Sequence, residues 1–249
     1  MPLQICILET DHLRPELVDQ YQGYGYMFQQ LFAQQPIAAE FTVYNVVAGH
    51  YPADSEVYDA YLVTGSKADS FGTDPWIETL KTYLLDRYQR GDKLLGICFG
   101  HQLLALLLGG KAERATNGWG VGVHNYQLAN KPAWLQPQTN DFSLLISHQD
   151  QVTKLPENAT LLASSEFCPI AAYSIDDQVL CFQGHPEFVP SYSRALLDLR
   201  QQCIGENSYR KGIDSLQQQH QGSTVAEWMM RFVANGRESA ALYPVSKDA

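Results

Sequence analysis

Positive charge is scarce in this chain: 17 lysines and arginines stand against 27 aspartates and glutamates, for a net charge of −10. No basic patch stands out to neutralise phosphates, so nucleic acid is not an expected partner. No apolar run approaches the roughly 20 residues that a membrane-spanning helix needs. No signal sequence precedes Leu3, where the first apolar run begins, so no membrane partner is expected. A phosphate-cradling loop of the form Gly-x-x-x-x-Gly-Lys-Ser/Thr is missing, which removes that kind of nucleotide site. The cysteines are an odd set without paired spacing, Cys6, Cys98, Cys168, Cys181 and Cys203. That is the pattern of reduced thiols and of a soluble, cytoplasmic protein.

What is present is enough for a sizeable core, with 249 residues of which 45% are hydrophobic. Leu3 to Leu8, Phe41 to Val47, Tyr58 to Thr64 and Leu94 to Cys98 have the apolar character of strands. Helical spacing of aromatic and apolar residues marks Pro15 to about Ala33, and Trp76 to Arg90. Strands alternating with helices predict an α/β fold, a mostly parallel central sheet with helices on both faces. From Val121 to Gln183 shorter apolar runs between turn signals such as Asn130-Lys131-Pro132 predict a smaller antiparallel β part.

One stretch carries more chemistry than the rest. Lys93 to Ile97 is an apolar run that meets Cys98, with Gly96 two residues before it, Gly100 two after, and a leucine-rich segment reaching Leu108. A strand turning sharply into a helix at one residue presents that side chain at a sheet edge, and the glycines give room for the close backbone approach. A thiol at a helix N-terminus is there expected to ionise more readily, because free amides and the peptide dipoles favour the thiolate. The competing reading is a buried structural cysteine.

A second run, Val179 to Gly184, ends in His185-Pro186-Glu187. Proline disfavours helix at the residue before it, and in an extended chain alternate residues share a face. Glu187 is then placed to orient the His185 imidazole, as the third member of a nucleophile–base–acid set does. A turn or two metal ligands would also fit three such residues, but no histidine or cysteine cluster has a metal spacing, so neither metal nor cofactor is expected.

Gly96-Ile97-Cys98-Phe99-Gly100-His101-Gln102 followed far downstream by Gly184-His185-Pro186-Glu187 resembles the signature of class I (triad-type) glutamine amidotransferases, especially the glutaminase branch like that of GMP synthetase. Val63-Thr64-Gly65-Ser66, Leu108-Gly109-Gly110-Lys111, Gly118-Trp119-Gly120-Val121-Gly122 and Ser147-His148-Gln149-Asp150-Gln151-Val152 fall in the family's order, and the resemblance spans about residues 3 to 190.

The resemblance implies a flavodoxin-like fold and catalysis by Cys98, His185 and Glu187 through a γ-glutamyl thioester. It implies that the N–H of Phe99 and the loop at Gly65 and Ser66 receive the oxyanion. It places Gln102 at the substrate's glutamyl end, and Ser147, His148 and Gln149 in a substrate-contacting loop. The small-molecule substrate would be glutamine or another γ-glutamyl compound, with ammonia passed to a synthetase partner subunit or the amine simply released by a free-standing hydrolase. A silent binding module on the same fold is the alternative of a different class.

Residues 1–204 are expected to form the α/β domain and 205–249 a helical extension on it. Within that extension, 205–222 is glutamine-rich and expected as loop or frayed helix. Thr224 to Glu227 fits a capping box before a helix, and the tail after Gly236 is expected to be loosely held.

Overall fold

The computed structural model describes residues 1–235, so the tail after Gly236 lies outside the described residues. The first strand, β1 (Leu3–Glu9), is apolar on both faces because both are covered. Leu3, Ile5 and Ile7 enter one core and Cys6 and Leu8 the other. Around it run β2 (Ala39–Asn45), β3 (Ala60–Val63), β4 (Leu94–Ile97) and β11 (Val179–Phe182). The order β2-β1-β3-β4-β11 is parallel throughout.

The sheet does not stop there. It continues antiparallel through β10 (Ala172–Ile175), β9 (Thr160–Ser164), β6 (Gly120–Leu128) and β7 (Asp141–His148), making nine strands. The antiparallel part is thus one surface with the parallel part, apart from a separate pair formed by β5 (Lys111–Arg114) and β8 (Asp150–Lys154).

Helices cover both faces. α3 (Pro75–Gln89) and α4 (Phe99–Leu107) supply Ile77, Leu80, Leu84 and Leu103 to one core. α2 (Tyr24–Phe32) and α7 (Gly222–Ala234) supply Phe28, Phe32, Trp228 and Phe232 to the other. Trp228 is completely buried, sets its ring edge-on to Phe142 and donates its indole N–H to the Pro137 carbonyl at 3.1 Å. α5 (Pro190–Ile204) and α6 (Glu206–Ser215) lie over β7 and β6.

Three local expectations need correction. The single helix from Pro15 to Ala33 is two, α1 (Pro15–Tyr21) and α2, because Gln22 takes φ 59° and the Glu9 carboxylate accepts the Gly25 N–H at 2.9 Å at the new N-terminus. The glutamine-rich stretch contains α6. Its few apolar residues, Tyr209 and Ile213, pack with Leu216 against Val121, Leu197 and Ile204, and Gly212 lets the helix approach closely, since a β-carbon there would meet Val121 Cγ2 at 2.9 Å. The last helix begins at Gly222 rather than after Thr224. Gln221 is fixed to β7, donating its N–H to the Ser143 carbonyl at 2.8 Å and accepting the Ser143 N–H on its side chain at 2.6 Å.

Candidate active site

The parallel strands end on one side of the sheet, and the loops after β1, β3, β4 and β11 converge there, as ligand sites of open α/β sheets do. Cys98 stands between β4 and α4 with φ 51° and ψ −98°, a backbone position that non-glycine residues seldom adopt. Such a conformation costs on the order of 1–3 kcal/mol and persists only where its surroundings enforce it. Here the glycines do. A β-carbon on Gly96 would sit 2.7 Å from the Gly100 carbonyl carbon, and one on Gly100 would sit 2.5 Å from the Val63 oxygen. The Cys98 N–H is tied to the Phe182 carbonyl at 2.9 Å, and Phe99, the first helical residue, has no preceding turn to accept its N–H.

His185 is held extended by its N–H bond to the Leu145 carbonyl, 2.9 Å long, in an isolated bridge to β7. Its Nδ1 lies 2.7 Å from Glu187 Oε1, and the Glu187 side chain has no exposed surface. The Phe188 ring stacks on the imidazole at 3.8 Å and 9°, so the ring plane is clamped. Burial opposes the imidazolium, but the Glu187 carboxylate and then the neighbouring Cys98 more than offset it and hold His185 well above the ordinary imidazole range.

Gly65 faces this pair across the elbow. A β-carbon there would stand 2.6 Å from His185 Cε1 and 3.5 Å from Cys98 Cβ. The loop is braced from β1's end: Thr10 Oγ1 donates to the Gly65 carbonyl at 2.9 Å, and Asp11 accepts the Lys67 N–H at 2.9 Å and its ammonium at 2.7 Å. Ser66 uses its hydroxyl to accept the Ala68 N–H at 3.1 Å. Gly65→Ala is therefore expected to push the imidazole aside. Displacements of about 1 Å cost on the order of a hundredfold in rate, and steady-state kinetics on folded protein measures that loss.

Outside the elbow opens a cleft of about 550 Å³ lined by Cys98, Ser66, Gln102, Ser147, His148 and Gln149, among others. Gln102 is buried and both its amide hydrogens are committed, to the Asp150 carbonyl at 2.8 Å and to Gln183 Oε1 at 3.2 Å. His148 directs Nδ1 to the Asp150 carbonyl at 3.1 Å; burial, with the nearby histidines, lowers it to about 3, so it is neutral at neutral pH. Ser147 accepts a hydrogen bond from Arg200 at 2.8 Å. His101 packs within the core against Tyr173, away from the cleft.

Burial pushes Cys168 and Cys181 up to about 12 and Cys6 higher still, which leaves them unreactive thiols. Cys203 is exposed at the cleft's rim. Among the described residues no group of three or more His, Cys, Asp or Glu side chains could hold a metal ion, and no helix is long and apolar enough to cross a membrane.

Sequence reasoning missed Thr10, Phe188 and Arg200. Phe188 carried the faint signal of an aromatic next to the His-Pro-Glu run, whereas Thr10 and Arg200 reach the site from segments far away in sequence.

Comparison with known proteins gives these features a family. Gamma-glutamyl peptidase 3 of Arabidopsis thaliana is 35% identical over 176 residues, covering 68% of this chain and 70% of that protein. The glutamine-hydrolysing GMP synthase of Streptococcus equi is 30% identical over 176 residues, 66% of this chain and 32% of the synthase. A crystal structure of a glutamine amidotransferase from Thermotoga maritima superposes with a TM-score of 0.75 over 94% of this chain and 99% of that one, at 16% identity, and shares the fold. Residues 17–199 match the family described as glutamine amidotransferase class-I, and the chain belongs to that family.

Proposed function

We propose that this protein hydrolyses the γ-glutamyl amide bond of a small molecule, with Cys98 as nucleophile, His185 as proton carrier and Glu187 as its orienting carboxylate. The observation that carries the reading is the meeting of the strained Cys98 elbow with a buried, stacked and carboxylate-bound imidazole at the floor of the cleft.

In the first half-reaction the Cys98 sulfur attacks the amide carbon, and the carbonyl electron pair moves onto oxygen. The N–H of Phe99 and the Gly65–Ser66 loop face that oxyanion. Collapse breaks the C–N bond while His185 hands its Nε2 proton to the departing amine, leaving a γ-glutamyl thioester. In the second half, His185 takes a proton from water as the water's oxygen attacks the thioester. Glutamate leaves, the Cys98 sulfur is freed, and His185 again carries the proton it gave up in the first half. Gln102, bonded to the Asp150 carbonyl, braces the loop that carries Ser147, His148 and Gln149, and so shapes the wall on which the glutamyl group rests.

The cleft falls inside the roughly 300–1,000 Å³ range of small-molecule sites, which suits a γ-glutamyl peptide as well as glutamine. The relatives' names support a γ-glutamyl peptide first. Release of free glutamate needs no second protein. A synthetase partner enters only if glutamine is the substrate and its ammonia is used elsewhere.

The test incubates the protein alone with glutamine and with γ-glutamyl dipeptides, following amine and glutamate release. In parallel, a glutamine-like chloroketone is added and the labelled residue mapped by mass spectrometry. The expected result is glutamate release with label on Cys98. An unlabelled Cys98, under conditions that modify a known amidotransferase, would sink the proposal.

A further inference from the structure

Arg200, near the C-terminal end of α5, is half-buried. Its Nη1 donates to Ser147 Oγ at 2.8 Å, and its guanidinium carbon lies 5.8 Å from the centre of the Trp119 ring. With Cys98 and His185 it lines a cavity of only about 20 Å³ at the elbow, continuous in its lining residues with the larger cleft.

Its charge is uncommitted. Arg87, Arg90, Arg114, Arg194, Arg210 and Arg231 each pair with a carboxylate. Among the described residues Arg200 has no ion-pair partner, and its guanidinium makes no hydrogen bond to protein besides the one to Ser147. Arg14, the other described arginine without a pair, is exposed; it lines the larger cleft but not the small cavity at the elbow. The acidic groups of the cleft are engaged elsewhere, Asp11 with Lys67, and Asp69 and Asp150 sharing the single charge of Arg114, and none of the three lines the small cavity at the elbow. In a chain of net charge −10, the free charge beside the nucleophile is therefore positive. A half-buried guanidinium without a counter-ion is costly unless something negative arrives, and its planar fork suits a carboxylate held by two parallel N–H bonds. The Ser147 hydroxyl and the Trp119 face fix that plane.

We infer that Arg200 is the subsite for the α-carboxylate of the substrate's γ-glutamyl group. The inference rests on the γ-glutamyl reading above. Only a few bonds separate that carboxylate from the carbon Cys98 attacks, which fits nucleophile and guanidinium lining the same cleft of about 550 Å³. The substrate class is then narrowed to γ-glutamyl compounds whose α-carboxylate is free. Amides and esters at that position, and β-aspartyl analogues with one methylene fewer, are poor substrates.

The test compares a γ-glutamyl amide carrying a free α-carboxylate with the same compound carrying an α-carboxamide, using wild type, Arg200→Gln, Arg200→Lys and Arg14→Gln. For the carboxylate substrate, Arg200→Gln is expected to raise KM by about 10- to 100-fold, the range of a lost charge-assisted hydrogen bond. Its kcat stays near wild type, and its turnover of the carboxamide changes little, which separates lost recognition from misfolding. The lysine variant recovers part of the preference. Arg14→Gln removes the same charge from the same cleft and keeps the preference intact.

An unchanged preference in Arg200→Gln would overturn the inference, as would an equal loss in Arg14→Gln. A preference that instead tracks the carboxylate of the leaving peptide, measured with its amide, would do the same. Wild-type failure on both compounds would overturn the γ-glutamyl reading itself and the subsite with it, whereas turnover without discrimination overturns the subsite alone.

Discussion

Cys98→Gly is expected to abolish turnover while leaving the fold close to wild-type stability. Deleting the nucleophile of a catalytic set of this type lowers the rate by about 10⁶-fold, which places the variant below detection in a glutamate-release assay. Stability should follow a different course. Truncating a buried side chain ordinarily destabilises, and Cys98 is only 5% exposed. Loss of its small thiol removes burial worth about 1 kcal/mol, and a glycine adds roughly 0.5–1 kcal/mol of unfolded-state entropy.

Against these, φ 51° with ψ −98° is a position that glycine adopts without the clash a β-carbon brings, so the strain of about 1–3 kcal/mol is released. The opposing contributions cancel to within about 1 kcal/mol. Urea unfolding of wild type and variant at pH 7 checks this. A loss well beyond that margin would show that the elbow is unstrained, and surviving turnover would reject Cys98 as the nucleophile. Stability kept while activity vanishes is the signature of a backbone held under strain for chemistry rather than for packing.

The parts of this site that were legible in the sequence are those whose geometry is local. Gly96 and Gly100 flank Cys98 by two residues because the turn itself brings Gly100's backbone to within 2.7 Å of a β-carbon on Gly96, a constraint written within five residues. Pro186 likewise sets the backbone of the residue before it, and Glu187 follows by alternation. The parallel half of the fold was legible for the same reason, since β1 to β4 are short apolar runs punctuated by helices.

Other features depend on what the chain folds against. Arg200 looks in sequence like any solvated helical arginine, and only the arrival of Ser147 and Trp119 from the antiparallel half makes it a cleft residue. Thr10 becomes a brace only because β1 and β3 are neighbours. Gln102 shows the converse. The family resemblance placed it at the substrate's glutamyl end, and the cleft it lines is only half of its surroundings: its amide hydrogens reach Asp150 and Gln183, 48 and 81 residues further along the chain. Helix α6 was hidden because its apolar stripe is thin and its closest approach to the sheet is through Gly212, a residue that counts against helix in any local reading.

Glu187→Gln should lower kcat by about 10³–10⁴-fold, the scale seen when the orienting carboxylate of a triad is made neutral. Two effects combine. Glu187 Oε1 bonds Nδ1 of His185, while Oε2 is buried without a partner. A glutamine that keeps its oxygen on Nδ1 must bury an unpaired NH₂ group where Oε2 was, costing about 1–3 kcal/mol. A glutamine that flips instead presents N–H to Nδ1 and forces the proton onto Nε2, which leaves no lone pair there to accept one from water.

The second effect is electrostatic. Burial disfavours the His185 imidazolium, and the Glu187 charge is the largest of the influences that overcome it. With a neutral glutamine, burial gains the upper hand, and His185 gives up its proton at lower pH than in wild type. The alkaline limb of kcat/KM should therefore move toward acid in the variant.

Stability follows the same sign. A histidine whose folded pKa lies above its unfolded value contributes stability that is fully present below the unfolded value of about 6.5 and is lost as pH rises through the folded value. Wild type should thus exceed the variant most at pH 6, with the gap closing above neutrality. Rate profiles and urea midpoints measured from pH 6 to 10 read both. An alkaline limb that stays in place would show that some group other than His185 carries the proton to the leaving amine.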